Sequence, residues 1–117
     1  HIVYGDSIAN SLRHAVLEDG NWTFDTVDPD THPGFYVALA IDPAVHAGRL
    51  HVAYHDILAR NLCYAWKDPG KAWVRRVIDA DGVVGSYPSI AVDGRGAVHI
   101  SYYDEANRDL KRADNAP

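Results

Sequence analysis

Methionine is absent from this 117-residue chain, cysteine occurs once, phenylalanine twice, and 11 Lys and Arg face 16 Asp and Glu. Each scarcity excludes something. A single cysteine, Cys63, cannot form an internal disulfide and leaves the redox compartment open; a free thiol of this kind ordinarily serves as a small hydrophobe on a strand. The formal charge of −5 argues against a nucleic-acid footprint, because phosphates need Lys and Arg gathered in a patch, and Arg75-Arg76 is the nearest approach to one. No apolar run reaches the roughly 20 residues of a membrane-spanning helix. No segment repeats its apolar residues at three and four over a helical length, so helix is expected to be nearly absent. A Gly-x-Ser-x-Gly elbow, a P-loop and an HExxH are all missing, which leaves catalysis with little support. The chain starts at His1 and inside a motif, so a processed mature chain or a piece of something longer is expected.

What is present is an echo. His1-Ile2-Val3-Tyr4-Gly5-Asp6 returns as His51-Val52-Ala53-Tyr54-His55-Asp56 and as His99-Ile100-Ser101-Tyr102-Tyr103-Asp104, with periods of 50 and 48 residues. Leu12, Leu62 and Leu110 follow the histidines in strict register, each trailed by Ala15, Ala65 or Ala113. Further on, Trp22 matches Trp73, Asp28 matches Asp79, Gly34 matches Gly85, and Tyr36 matches Tyr87. Self-similarity at this period is the mark of an array.

Each period holds four short segments rich in Val, Ile, Tyr and Trp, set apart by Gly, Pro, Asn and Asp. Strands are expected near 1-6, 11-18, 22-28, 36-42, 50-56, 61-67, 73-79, 88-93, 98-104 and 109-114. Four strands per period of just under 50 residues predict an all-β chain of β-propeller blades, each of four antiparallel strands. A ten-strand β-sandwich would give no reason for the echo. With the strands of a blade labelled A to D outward from the channel, residues 1-28 read BCD, 36-79 a complete blade, and 88-114 ABC. About two and a half blades per chain result, in one array over 1-117. Edge strands so exposed invite pairing with another chain, so self-assembly is expected, as a closed ring or as an open head-to-tail series.

Pro88-Ser89-Ile90-Ala91-Val92-Asp93-Gly94-Arg95-Gly96-Ala97-Val98-His99-Ile100-Ser101-Tyr102-Tyr103-Asp104, running on to Asn107 and Asp109-Leu110-Lys111, resembles the tandem propeller repeats of bacterial and archaeal secreted or surface proteins. These are grouped loosely with sialidase-like and NHL-like propellers. The resemblance implies an extracellular or cell-surface location and is specific for architecture, while one fold hosts many functions. The sialidase Asp-box is poorly matched: Asp19-Gly20-Asn21-Trp22 and Asp68-Pro69-Gly70 stand at its turn without its pattern.

In a propeller the B-to-C and D-to-A loops share a face. Asp28, Asp56, Asp79 and Asp104 are therefore expected near Tyr36 and Tyr87, at one rim. Carboxylates beside aromatic rings suit carbohydrate, the acids accepting hydroxyl hydrogen bonds and the rings covering the apolar sugar face; Ca²⁺ is an alternative guest for the same oxygens. The competing role for each Asp is to end a strand and accept backbone N–H groups in the turn. Trp66 joins the candidates because its ring is less repetitive, Val16 standing at its place in the first copy. Trp22 and Trp73 are expected to pack between blades. His1, His51 and His99 sit on successive blades, too far apart for one zinc; His46, His51 and His55 are closer, and are expected to be exposed turn and strand residues. The function expected is a non-catalytic, lectin-like binding module for glycans. A structural subunit of a homo-assembly and a fragment of a sialidase-like glycoside hydrolase are the alternatives.

Overall fold

The computed structural model describes residues 1–115, apart from the side chains of Pro33, Gly34 and Phe35; the alignment of Gly34 with Gly85 therefore falls outside the described side chains. Ten strands follow in order: β1 Ile2–Asp6, β2 Ser11–Glu18, β3 Asn21–Asp28, β4 Pro33–Ile41, β5 Leu50–Asp56, β6 Asn61–Lys67, β7 Val74–Asp79, β8 Val84–Val92, β9 Val98–Asp104 and β10 Asp109–Asn115. They form three antiparallel sheets of sequential neighbours: β1-β2-β3, β4-β5-β6-β7 and β8-β9-β10. The expected all-β chain of short hairpin-linked strands is what is observed, and the sheets divide it where the repeat does.

Burial along each strand reports how many sheets cover it. Strand β5, in the middle sheet, is buried from Leu50 through His55, so both of its faces are covered. In β9 burial alternates residue by residue, as period-two geometry requires when one face packs and the other does not. Two apolar layers result. Leu12 and Val27 of the first sheet meet Val52, Tyr54, Cys63 and Ala65 of the second; Ala53, Leu62 and Tyr64 of the second meet Val84, Val98, Ile100 and Tyr102 of the third. His51 and His55, expected to be exposed, are 2% and 7% exposed. Their strand lies between two sheets, which the local alternation cannot reveal.

Strands β4 and β8 start three and four residues earlier than the sequence suggests. In β8, Val84 pairs with Asp104 and Ser86 with Tyr103 before the register shifts, and Gly85 and Tyr87 take φ of +97° and +52°. A segment rich in loop-forming residues is thus part of the ladder through bulges. Gly85 is required there: a Cβ would lie 2.7 Å from Leu62 Cα and 2.9 Å from Leu62 N.

Candidate functional site

The four candidate aspartates are occupied by the fold. In each hairpin after the His-x-x-Tyr-x-Asp strand, the aspartate caps the turn: Asp56 Oδ1 accepts from the backbone N–H of Leu58 and Ala59, and Asp104 binds the backbone N–H and side-chain amide of Asn107. Asp6 does the same with Ile8 and Ala9. The repeat carries the turn with it, since Asn10, Arg60 and Arg108 all take φ between 51° and 60° at equivalent places. Asp28 and Asp79 tie sheet to sheet. The Tyr54 hydroxyl donates to Asp28 Oδ2 at 2.7 Å and Arg75 to Oδ1 at 2.6 Å; the Tyr102 hydroxyl and Lys111 both donate to Asp79. Burial works to raise the Asp79 pKa, but Lys111, the Asp81 N–H and the Tyr102 hydroxyl outweigh it and hold the carboxyl below its ordinary value. Each of the four thus has a structural task in the fold, the competing role for an aspartate repeated once per period.

Tyr36 and Tyr87 do come together at that rim, with ring centroids 4.3 Å apart. Their hydroxyl interaction, then burial, raises the Tyr36 pKa. Tyr87 is 64% exposed, and Ser86 donates to Glu105 beside it at 3.3 Å. The pair is an open platform without walls.

Trp66 lies at the other end of the strands. It pairs with His51 at the start of β5, whereas Asp56 ends that strand. There a cleft of about 390 Å³ opens between the second and third sheets, with Trp66, Tyr64, His51, Arg49, Arg76 and Asp114 in its wall. Arg49 lies 4.5 Å above the indole centroid and is fixed by two hydrogen bonds to Asp68, of 2.7 and 3.0 Å. The ring is thus held in place from one side. Tyr64 Oη lies 2.8 Å from His51 Nδ1, while His51 Nε2 is buried with no partner. Burial first, and Arg49 second, lower the His51 pKa, so the imidazole is neutral at pH 7. Burial pushes the Tyr64 phenol up to about 12. Arg76 pairs in register with Tyr64 and has no carboxylate partner among the described residues.

The preceding cleft, between the first and second sheets, is smaller, about 280 Å³, and is lined at equivalent places by His1, His14, Val16 and Leu50. Its two histidines are bonded: His14 Nε2 lies 2.9 Å from His1 Nδ1 and His14 Nδ1 lies 2.7 Å from Asp25. Val16 replaces the indole. The two clefts share a frame, and the second alone is left with an indole, an unpaired guanidinium and an unsatisfied buried nitrogen. Trp66 stands out in the sequence by its departure from the repeat, and Arg76, which replaces Asp25 of the first copy, carries the same signal; His51 repeats His1 and His99, so only packing distinguishes it. Trp73 packs between sheets as expected, donating to Asp25 at 3.0 Å. Trp22 does not: it lies 47% exposed on a face of the first sheet that no described residue covers. No helix is long and apolar enough to cross a membrane. No family model matches this chain, and no curated protein does.

Proposed function

We propose that the chain is a carbohydrate-binding module, built from consecutive propeller-type blades, whose ligand is a sugar carrying a carboxylate held in the Trp66 cleft. The observation that carries this reading is a cleft of about 390 Å³ whose wall brings the Trp66 indole together with Arg76, which has no carboxylate partner among the described residues, and with His51, whose buried Nε2 has no hydrogen-bond partner; a buried polar atom left unpaired costs about 1–3 kcal/mol. The other groups fit one chemistry. An indole offers an apolar face to a pyranose ring, the neutral imidazole and Tyr64 hydroxyl meet its hydroxyls, and Arg76 offers its planar fork to a carboxylate. The volume is within the range of small-ligand sites. Among the described residues Asp114 is the only carboxylate in the cleft wall, and glycoside hydrolysis ordinarily needs two facing carboxylates, so binding is favoured over turnover.

The blade reading is supported by how the sheets meet. Each contact is of the same kind, with the back of one sheet on the front of the next, fastened by an aspartate that ends one sheet's last strand and a tyrosine of the following sheet. The innermost strands of the second and third sheets, β4 and β8, touch each other, and β1 touches β4 as its equivalent β5 touches β8, a repeated geometry that successive blades around a common axis would give. A cell-surface or extracellular location accompanies this function, because polysaccharides carrying carboxylates are abundant there.

The test is a panel of neutral and acidic oligosaccharides presented to the native protein and to Trp66→Ala, Arg76→Gln and Tyr87→Ala variants. Binding of uronate-containing members, abolished by Trp66→Ala, weakened by Arg76→Gln and untouched by Tyr87→Ala, is expected. Loss only with Tyr87→Ala would move the site to the tyrosine rim, and a folded protein silent across the panel would remove the carbohydrate reading.

A further inference from the structure

The first sheet carries a vacant copy of the fastening that joins the other sheets. Register places Ile2 opposite Ala15 and Tyr4 opposite Arg13, with Ala15 opposite Phe24 and Leu17 opposite Trp22; all of these project from one face. The opposite face, with His14 and Asp25, is the one that meets the second sheet. On the first face Ile2, Leu17, Trp22 and Phe24 are 50, 50, 47 and 58% exposed. Their counterparts differ in one respect. Val52 and Ile100, which stand where Ile2 does, are 0 and 4% exposed, because a preceding sheet covers them.

The polar groups repeat the pattern. In the third sheet Tyr102 and Lys111 are cross-strand partners, and both donate to Asp79 of the sheet before. In the first sheet Tyr4 and Arg13 occupy the same two places, a hydroxyl and a cation side by side. The Arg13 Nε is buried without any partner, and no hydrogen bond engages the Tyr4 hydroxyl among the described residues. Trp22 extends the correspondence: its equivalent, Trp73, donates to Asp25 of the preceding sheet.

We infer that Tyr4 and Arg13 form a carboxylate receptor for the aspartate that closes the last strand of a further sheet of this same repeat, which seats on the face carrying Ile2, Leu17, Trp22 and Phe24. The inference rests on the array reading and is independent of any sugar. Charge and shape select this occupant. Asp28 and Asp79 are already held by Tyr54 and Tyr102, so a second copy in this fold has no such aspartate to give.

The chain's own parts supply the test. A copy of residues 36–98 joined directly ahead of His1 preserves register, since His1 follows Val98 as His99 does, and it presents a second Asp79 to Tyr4 and Arg13. The extended chain should melt higher than the parent, by more than about 5 °C. Tyr4→Phe with Arg13→Gln should remove most of that gain in the extended chain and leave the parent midpoint within about 1 °C, because the pair has no partner there. An equal effect of the double variant in both chains would overturn the inference. So would a parent chain that self-associates at micromolar concentration and is dispersed by Arg13→Gln, which would give the face to a second copy. Neither result depends on ligand, so failure here is distinct from failure of the carbohydrate reading.

Discussion

The aspartates illustrate how one residue type takes different tasks from its place in the repeat. Asp56 and Asp104 close turns, Asp28 and Asp79 fasten sheets, and Asp93 accepts from the backbone N–H of Arg95 and Ala97 while meeting His99 at 2.9 Å. Removing the tyrosine hydroxyl from a fastening is the cleanest probe: Tyr54→Phe should cost about 1.5–3 kcal/mol in urea denaturation, the range for a hydrogen bond to a charged group. Titration should appear on both limbs of a stability–pH curve. The hydrogen bond to His99, then the two turn N–H groups, bring the Asp93 pKa down to about 2. Its contribution is therefore complete above the unfolded value near 4 and is lost as pH falls toward 2. His99 moves the other way, raised by Asp93 and then Asp114. Its contribution is complete below about pH 6.5 and fades as pH rises through the folded value. His99→Gln should flatten that upper limb, shrink the Asp93 part of the acid limb and leave the part that Asp79 contributes in place. Cys63, whose thiol burial pushes up to about 12, should react with a thiol reagent only after unfolding.

At the scale of the element, strands and their pairing were legible because period two and turn chemistry are local. The ten expected segments correspond to the ten strands, and most boundaries agree within a residue. The misses have two causes. Strands β4 and β8 begin early because register shifts, between Pro33 and Val37 in the one and around Gly85 and Tyr87 in the other, let a Gly- and Pro-containing stretch stay in the ladder, which composition reads as loop. His51 and His55 are buried because of what lies across from their strand, a fact of packing that alternation within the strand does not carry. The bulge itself is testable. Gly85→Ala places a methyl against Leu62 backbone at a φ that only glycine adopts freely, and it should destabilise by about 2–4 kcal/mol in chemical denaturation. An equivalent alanine at Gly70, also at positive φ but with nothing within 4 Å, should cost only the backbone term of about 1–2 kcal/mol.

For the whole molecule, the repeat supplies a frame and the departures from it mark the candidate site. At the rim that the sequence favoured, the four aspartates each have partners within the fold, and Tyr36 and Tyr87 meet as a tilted pair. The cleft is at the opposite end of the strands, where Trp66 replaces Val16 of the first copy, Arg76 has no carboxylate partner among the described residues and the buried His51 Nε2 has no hydrogen-bond partner. Its members come from β5, β6 and β7 and from the third sheet, so their meeting follows from how two sheets pack and from no motif in the chain. The most direct test is isothermal titration of an oligogalacturonate into the native protein and the Trp66→Ala variant at pH 7, with circular dichroism to establish that both are folded. The account predicts saturable binding weakened at least tenfold by the substitution, about 1.4 kcal/mol. Equal affinity in the two proteins, or no heat of binding to the native one, would contradict it.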